Sequence, residues 1–156
     1  MASLDGNEKL VQKAFPYKWE LLLLLWVAFT FNQGDRQIYN NLLPQIQPDL
    51  QLSNEQAGLV ATIFNAMYGI LVPVSGYVGD AFRRKWVIIG ALILWSAATL
   101  LTGLAGGIIG LIVFRGLATG GGEAFYYPSA NSLIGQLHQR TRALAMGIHQ
   151  TANYIG

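Results

Sequence analysis

Apolar segments of membrane-spanning length are the feature that most restricts how this chain can fold. Crossing the hydrocarbon of a bilayer takes about 20 mostly apolar residues at a rise of about 1.5 Å each. Four segments reach that length and a fifth begins near the end of the sequence. The sequence therefore predicts an all-α membrane protein with helices at about 19–43, 57–78, 86–105, 108–132 and 143–156.

The composition supports a membrane protein and excludes several other classes. Hydrophobic residues make up 53% of the chain and charged residues 12%, against about 25% charged in typical soluble domains. The net charge of +2 is small and its basic residues are dispersed, which argues against nucleic acid as a partner. The chain has no cysteine and only two histidines without carboxylate spacing, so we expect no metal and no cofactor.

The positions of lysine and arginine predict the topology. Basic residues occur in the N-terminal tail, in the loop at 83–85 and in the loop around Arg140 and Arg142, whereas the other two loops have none. By the positive-inside rule the N-terminus faces the cytoplasm, and we expect an inner-membrane protein. Residues 1–17 are then a cytoplasmic tail and residues 18–156 a transmembrane unit. Prolines 44 and 48 predict a loop before the second helix, with Ser53 as its N-cap.

Four ionisable residues lie inside the predicted spans: Asp35 and Arg36 in the first helix, and Arg115 and Glu123 in the fourth. Each costs about 2.5–3.5 kcal/mol at the centre of a membrane helix. Facing all four to lipid would therefore cost roughly 10–14 kcal/mol. We expect them to face a bundle interior or a hydrated cavity instead.

Helical periodicity places these residues beside other polar side chains. Asn32, Asp35, Arg36 and Tyr39 follow the spacing i, i+3, i+4, i+7 and share one face of the first helix. A similar face of the fourth helix carries Arg115, Thr119, Gly122 and Tyr126, with Glu123 at its flank. Asn65 and Tyr68 of the second helix are further candidates for the cavity.

Two functions suit this set of side chains. Arginines remain charged and bind carboxylate or phosphate through two N–H groups, so a pair of them can hold an organic anion. The predicted substrate-binding residues are Arg36, Arg115, Tyr39, Asn32, Asn65 and Tyr68. Asp35 and Glu123 are the candidates for taking up and releasing protons. The alternative is structural: Asp35 with an arginine, and Glu123 with Arg115, only neutralise each other and hold helices together.

The sequence GYVGDAFRRK, between the second and third helices, resembles the signature loop of the major facilitator superfamily. The matching residues are Gly76, Asp80, Arg84 and Lys85, while Arg83 stands where the family usually has glycine. The resemblance implies two six-helix halves around a substrate, with this loop as a gating latch. It also predicts that this chain, which stops in a fifth helix, is an N-terminal fragment whose partner is a missing C-terminal half.

Two branches of that superfamily share further features with the chain. An Asp-Arg pair in the first helix, with arginine and glutamate in the fourth, resembles the anion:cation symporters, although Arg115 and Glu123 are eight residues apart where seven is common. LVPVSGYVGDAFRRK and Gly-Glu-Ala resemble the spinster-like branch, whose members move lipids or other organic acids.

These resemblances imply proton-coupled symport of a small organic anion, such as a sugar acid, by alternating access. The alternatives are a spinster-like lipid or lysolipid transporter and a membrane protein that transports nothing. The bilayer and the anion are the other expected partners, and an enzyme is the least supported class. Two smaller interpretations concern His138, expected to be solvated in a cytosolic loop, and the glycines of GLATGGGEA, expected to allow close helix packing and not to bind phosphate.

Overall fold

A computed structural model describes the backbone of residues 5–156 and the side chains of residues 17–79 and 81–156. Within that range the chain forms helices joined by short loops and contains no strand. The helices are α1 (Asp5–Asp49), α2 (Asn54–Ala81), α3 (Arg84–Thr102), α4 (Ile108–Leu137) and α5 (Arg142–Ile155). The predicted all-α fold is confirmed.

Helix α1 is longer than predicted at both ends, since it begins at Asp5 and continues to Asp49. The prediction treated Pro44 as the start of a loop, but the helix passes through it and ends in a Schellman motif. Leu52 N–H donates to Gln47 C=O at 2.8 Å, and Gln51 N–H donates to Pro48 C=O at 3.1 Å. Because these bonds satisfy the last carbonyls, the helix ends after the prolines and not before them.

Helix α2 begins at the predicted cap. The Ser53 hydroxyl accepts a hydrogen bond from Gln56 N–H at 3.2 Å, and the Gln56 side-chain oxygen accepts one from Ser53 N–H at 2.9 Å. This reciprocal pair is a capping box, which satisfies two backbone donors that the first turn of a helix leaves free.

Helix α4 changes its winding along its length. Ile108–Leu111 is α-helical, Ile112–Thr119 is π-helical, and Gly120–Leu137 is α-helical again. In the π segment the Thr119 hydroxyl donates to Phe114 C=O, five residues earlier, at 2.9 Å. A π turn holds more residues than an α turn, so residues on either side of the segment share a face at a longer sequence spacing.

Three helical segments are long and apolar enough to cross a membrane: Asn54–Gly79, Arg84–Thr102 and Ile108–Leu137. Helix α1 has the length, but the polar residues at 32–36 lower its mean hydropathy. Large apolar side chains such as Leu24, Ile70 and Leu100 are exposed, whereas Arg115 and Glu123 are buried. This distribution is the one that a lipid environment selects.

The chain divides into two compact units, and the first comprises the residues up to Gly34 together with Leu133–Gly156. Within it Trp26 Nε1 donates to the Thr151 hydroxyl at 2.9 Å, and the rings of Phe29 and His149 stack with centroids 4.9 Å apart.

The prediction that His138 is solvated was wrong. It is buried in this first unit, with Nε2 3.1 Å from Lys18 C=O and Nδ1 3.1 Å from the Thr141 hydroxyl. Its ring also meets Trp19 edge to face. These contacts remove the imidazole from water because the residues near Lys18 pack against the turn between α4 and α5.

The second unit, Asp35–Ser132, is held together by close approach of α4 to α2 and α3. A Cβ atom at Gly116 would lie 3.0 Å from Ile63 Cγ2, and one at Gly120 would lie 3.0 Å from Phe64 C=O. A Cβ atom at Gly122 would lie 2.9 Å from Trp95 Cβ. The interpretation of these glycines as packing residues is confirmed, because small residues let membrane helices pack at short distance.

Candidate functional site

An ion pair between Arg36 of α1 and Glu123 of α4 is central to the second unit. Arg36 Nε lies 3.6 Å from Glu123 Oε2, and the two side chains are 37% and 6% exposed. The arginine therefore reaches open space while the carboxylate is enclosed. Such a pair can open without exposing its acidic member to lipid.

Asp35 takes a different partner although it precedes Arg36 directly. Its Oδ2 atom accepts a hydrogen bond from Trp95 Nε1 at 3.1 Å. Successive residues on a helix point in different directions and do not face each other. Among the side chains that the structure describes, Asp35 has a neutral donor as its partner and no cation within 4.0 Å.

Arg115 is buried in the π segment and lies over aromatic rings. Its Cζ atom is 4.5 Å from the ring centroid of Tyr39 and 5.7 Å from that of Phe64. The Cζ atom of Arg36 is 4.8 Å from the same Phe64 centroid. Both guanidinium groups are thus held by cation–π contacts to one shared ring, which orients them without using up their N–H donors.

A cavity of about 170 Å³ lies beside these arginines. Charged, amide, aromatic and aliphatic groups all contribute to its wall. The lining residues are Arg36, Tyr39, Asn40, Val60, Ala61, Phe64, Asn65 and Arg115. Such a wall suits a ligand that has both an anionic and an apolar part.

Two hydrogen-bonding groups at this cavity differ in availability. The Tyr39 hydroxyl is buried and has no hydrogen-bond partner among the described residues. The Asn65 amide Nδ2 donates to Ala61 C=O of its own helix at 2.9 Å. The phenol of Tyr39 is therefore the better placed of the two to bind a ligand.

The other predicted site residues occupy different positions. Tyr68 is half-buried and interacts electrostatically with Glu123 and Arg36. Asn32 belongs to the first unit, where its side chain is buried. The structure thus brings Arg36, Tyr39, Asn65 and Arg115 to one cavity wall.

The predicted face of α4 requires correction. Gly122 and Tyr126 were expected to face the cavity, but Gly122 packs on Trp95, and the rings of Tyr126 and Trp95 are 6.0 Å apart. Glu123, expected at the flank, reaches Arg36. The structural alternative had paired Glu123 with Arg115, whereas its ion-pair partner here is Arg36. The π segment explains the change, because a π turn holds more residues than an α turn. Arg115 and Glu123, which are eight residues apart, therefore lie on nearly the same side of α4.

Phe64 and Trp95 are parts of the site that sequence reasoning missed. Both resemble ordinary core residues in apolar helices. The signal available for Trp95 is its indole N–H, which needs an acceptor when buried. Asp35 is a hydrogen-bond acceptor inside the first predicted span, and the sequence had already identified it as a candidate site residue. Phe64 carries no comparable signal apart from its position beside Asn65.

The predicted latch lies at the turn between α2 and α3. Arg83, where glycine was expected, has φ −65° and ψ 112°, a conformation open to any L-residue. The departure from the signature therefore does not distort this turn. The side chain of Asp80 lies outside the described residues, while Lys85 is exposed.

Gly76 and Gly79, at the end of α2, differ in what an added side chain would meet. A Cβ atom at Gly79 would lie 3.4 Å from the Ser129 hydroxyl, whereas one at Gly76 would meet nothing within 4 Å. Both glycines border a cavity of about 150 Å³ that Arg84 and Ser129 also line. Among the described residues, Gly76 therefore makes no close approach to another helix, whereas Gly79 lies near Ser129 of α4.

Membrane-length helices with paired charges between them define a polytopic membrane protein. A sequence profile of the Major Facilitator Superfamily matches residues 25–156, and the chain belongs to that family, which comprises transporters and not an enzyme class. It has spinster-like features within the family.

Individual relatives agree with this assignment. The chain is 32% identical to Protein spinster from Drosophila melanogaster in an alignment 132 positions long that covers 83% of this chain and 22% of the relative. It is 32% identical to the Sphingosine-1-phosphate transporter SPNS2 from Xenopus tropicalis in an alignment 159 positions long that covers 98% of this chain and 31% of the relative.

A solved structure also matches. It is a bacterial homolog of the human lysosomal transporter spinster in an inward-facing, unoccupied conformation. The TM-score is 0.84 at 31% sequence identity, over 90% of this chain and 29% of that one. The chain therefore spans between about a fifth and a third of the length of these relatives.

Proposed function

We propose that this chain forms part of a transporter for single-chain lipid anions, such as a lysophospholipid or a sphingoid-base phosphate. The observation that carries the proposal is the pair of arginines held on Phe64 at the edge of a partly apolar cavity. Two cations can bind a phosphate head group. The Phe64, Val60 and Ala61 side chains supply apolar surface that the start of a lipid tail would cover.

This substrate class is favoured over the sugar acid that the sequence first suggested. A sugar acid presents hydroxyl groups around its whole ring and calls for many hydrogen-bond partners. At this cavity the amide N–H of Asn65 is already used on its own helix, and Val60, Ala61 and Phe64 contribute apolar surface that a sugar acid would not match. The similarity to a sphingosine-1-phosphate transporter supports the lipid class as well.

Proton coupling and gating complete the proposal. Asp35 and Glu123 are the carboxylates proposed to exchange protons, since Glu123 pairs with Arg36 and Asp35 directly precedes Arg36 in the first predicted span. Binding of an anion to Arg36 would compete with Glu123 for the guanidinium group. Arg84 and Asp80 are proposed to latch the cytoplasmic side, with the N-terminus in the cytoplasm.

Transport by the protein produced from its own gene, in liposomes with an imposed pH gradient, tests this function. We expect flux of sphingosine 1-phosphate that needs the gradient and falls at least tenfold in Arg36→Ala and Arg115→Ala. Arg140→Ala is the matched control because Arg140 is exposed outside the spans. Flux of a sugar acid without flux of the lipid would support the sugar-acid alternative, and flux of neither would support a protein that transports nothing.

A further inference from the structure

The indole of Trp95 connects two parts of the second unit. Its Nε1 donates to Asp35 of α1 at 3.1 Å, while its ring is almost fully buried within α3. On its other side the residue meets α4, where a Cβ atom at Gly122 would lie 2.9 Å from Trp95 Cβ and 3.0 Å from its backbone nitrogen. Trp95 therefore contacts a carboxylate and a tightly packed helix interface at the same time.

Protonation would disrupt different interactions at Asp35 and at Glu123, the two carboxylates inside the predicted spans. Glu123 is in an ion pair with Arg36, so protonating it removes that attraction. Asp35 accepts from the neutral indole N–H, so it can take a proton without breaking an ion pair. The hydrogen bond from Trp95 weakens when the carboxylate becomes neutral, because bonds to charged acceptors are roughly twice as strong as those between neutral groups.

Weakening that bond affects the packing of α3. Gly122 leaves no free space beside Trp95, and the Tyr126 ring lies at 6.0 Å from the indole in an edge-to-face arrangement. The indole is thus held in place by α4 on one side and by Asp35 on the other. When the attraction of Asp35 falls, the balance between the two contacts changes.

We propose that Trp95 is a positioning residue that links the protonation of Asp35 to the packing of α3 against α4. The proposal rests on the proposed proton-coupled transport. It identifies Asp35 as the carboxylate whose protonation state affects the indole of Trp95. A proton taken up by Asp35 would then change the packing of α4, which carries both Arg115 and Glu123.

Several charged or titratable groups surround Asp35 and must be separated in any test. Arg36 and Tyr39 lie on the same helix, and Tyr68 of α2 interacts with Arg36 and Glu123. From α4, Arg115 interacts electrostatically with Asp35 and also with Glu123. A pH response is therefore assigned to Asp35 only if it survives removal of the other membrane carboxylate.

Fluorescence of the purified protein in nanodiscs tests the link without requiring transport. We expect the tryptophan emission to show a step with pH that disappears in Trp95→Phe and in Asp35→Asn. The step should remain in Glu123→Gln and in Trp26→Phe, which loses a different indole hydrogen bond, to Thr151. A step that persists in Asp35→Asn, or no step in the unaltered protein, would overturn the proposal.

Transport supplies the second test. In Trp95→Phe an aromatic ring stays, but the N–H that donates to Asp35 is lost. We expect the pH dependence of transport in this variant to differ from that of the unaltered protein.

The outcomes of the two tests separate the two proposals. An unchanged pH profile in folded Trp95→Phe protein contradicts the role of Trp95. A fluorescence step without lipid transport would contradict the proposed function while the local link stands.

Discussion

Arg36 forms its ion pair with Glu123 of a different helix, at 3.6 Å, and not with Asp35 beside it in the sequence. Because neighbouring residues on a helix diverge, the two members of the Asp-Arg pair face different helices. Arg36 faces α4 and Asp35 faces α3. A single turn of α1 thereby contacts both helices through polar groups.

Breaking that ion pair should destabilise the protein moderately. We expect Arg36→Leu to lower the free energy of unfolding by roughly 1–3 kcal/mol, less than the 3–5 kcal/mol of a fully buried pair, because Arg36 is partly exposed. Chemical denaturation in detergent micelles measures this. The charge-swapped variant with Arg36→Glu and Glu123→Arg should recover at least half of the loss, and a swap no better than the single variants would argue against a direct pair.

Gly122→Ala should disturb the contact between α3 and α4. The added methyl group would lie 2.9 Å from Trp95 Cβ and 3.2 Å from Ala91 C=O, and overpacking of this kind costs about 1–3 kcal/mol. Gly121→Ala is the matched control, since its nearest neighbour would be Leu71 Cδ1 at 3.6 Å. Thermal unfolding of the two variants side by side checks the prediction, and equal midpoints would contradict it.

Gln51→Gly should stabilise the end of α1. Gln51 is a non-glycine residue with φ of 52° at the C′ position of the Schellman motif, where L side chains are strained. We expect a gain of about 0.5–1 kcal/mol after allowing for the added freedom of glycine in the unfolded chain. Gln51→Val should lose stability in the same denaturation assay, and a loss in Gln51→Gly would be inconsistent with the strain.

Phe64→Leu should weaken binding of a lipid anion by about 2- to 10-fold, because both arginines lose their shared aromatic contact. Equilibrium binding of sphingosine 1-phosphate to protein in nanodiscs measures the change. Phe31→Leu is the control, since Phe31 is exposed. Equal affinities of the two variants would show that the ring does not orient the arginines for the ligand.

Sequence reasoning was most reliable where one large free-energy cost excluded every arrangement but one. Charged groups are expensive in lipid, so Asp35, Arg36, Arg115 and Glu123 were expected in the interior, and the structure has Arg115 and Glu123 buried. The five helices follow from the same principle. Their boundaries lie within about five residues of the prediction except in α1, where the prolines misled it.

The sequence by itself determined that this chain is an all-α membrane protein with ionisable groups inside its spans, because burial costs act on each residue separately. Tertiary structure alone decided the partners. It joined Arg36 to Glu123, gave Asp35 the indole of Trp95 and placed both arginines on Phe64. Those choices depend on how the π segment turns α4 and on how closely its glycines let α2 and α3 approach, and neither effect can be read from one helix considered alone.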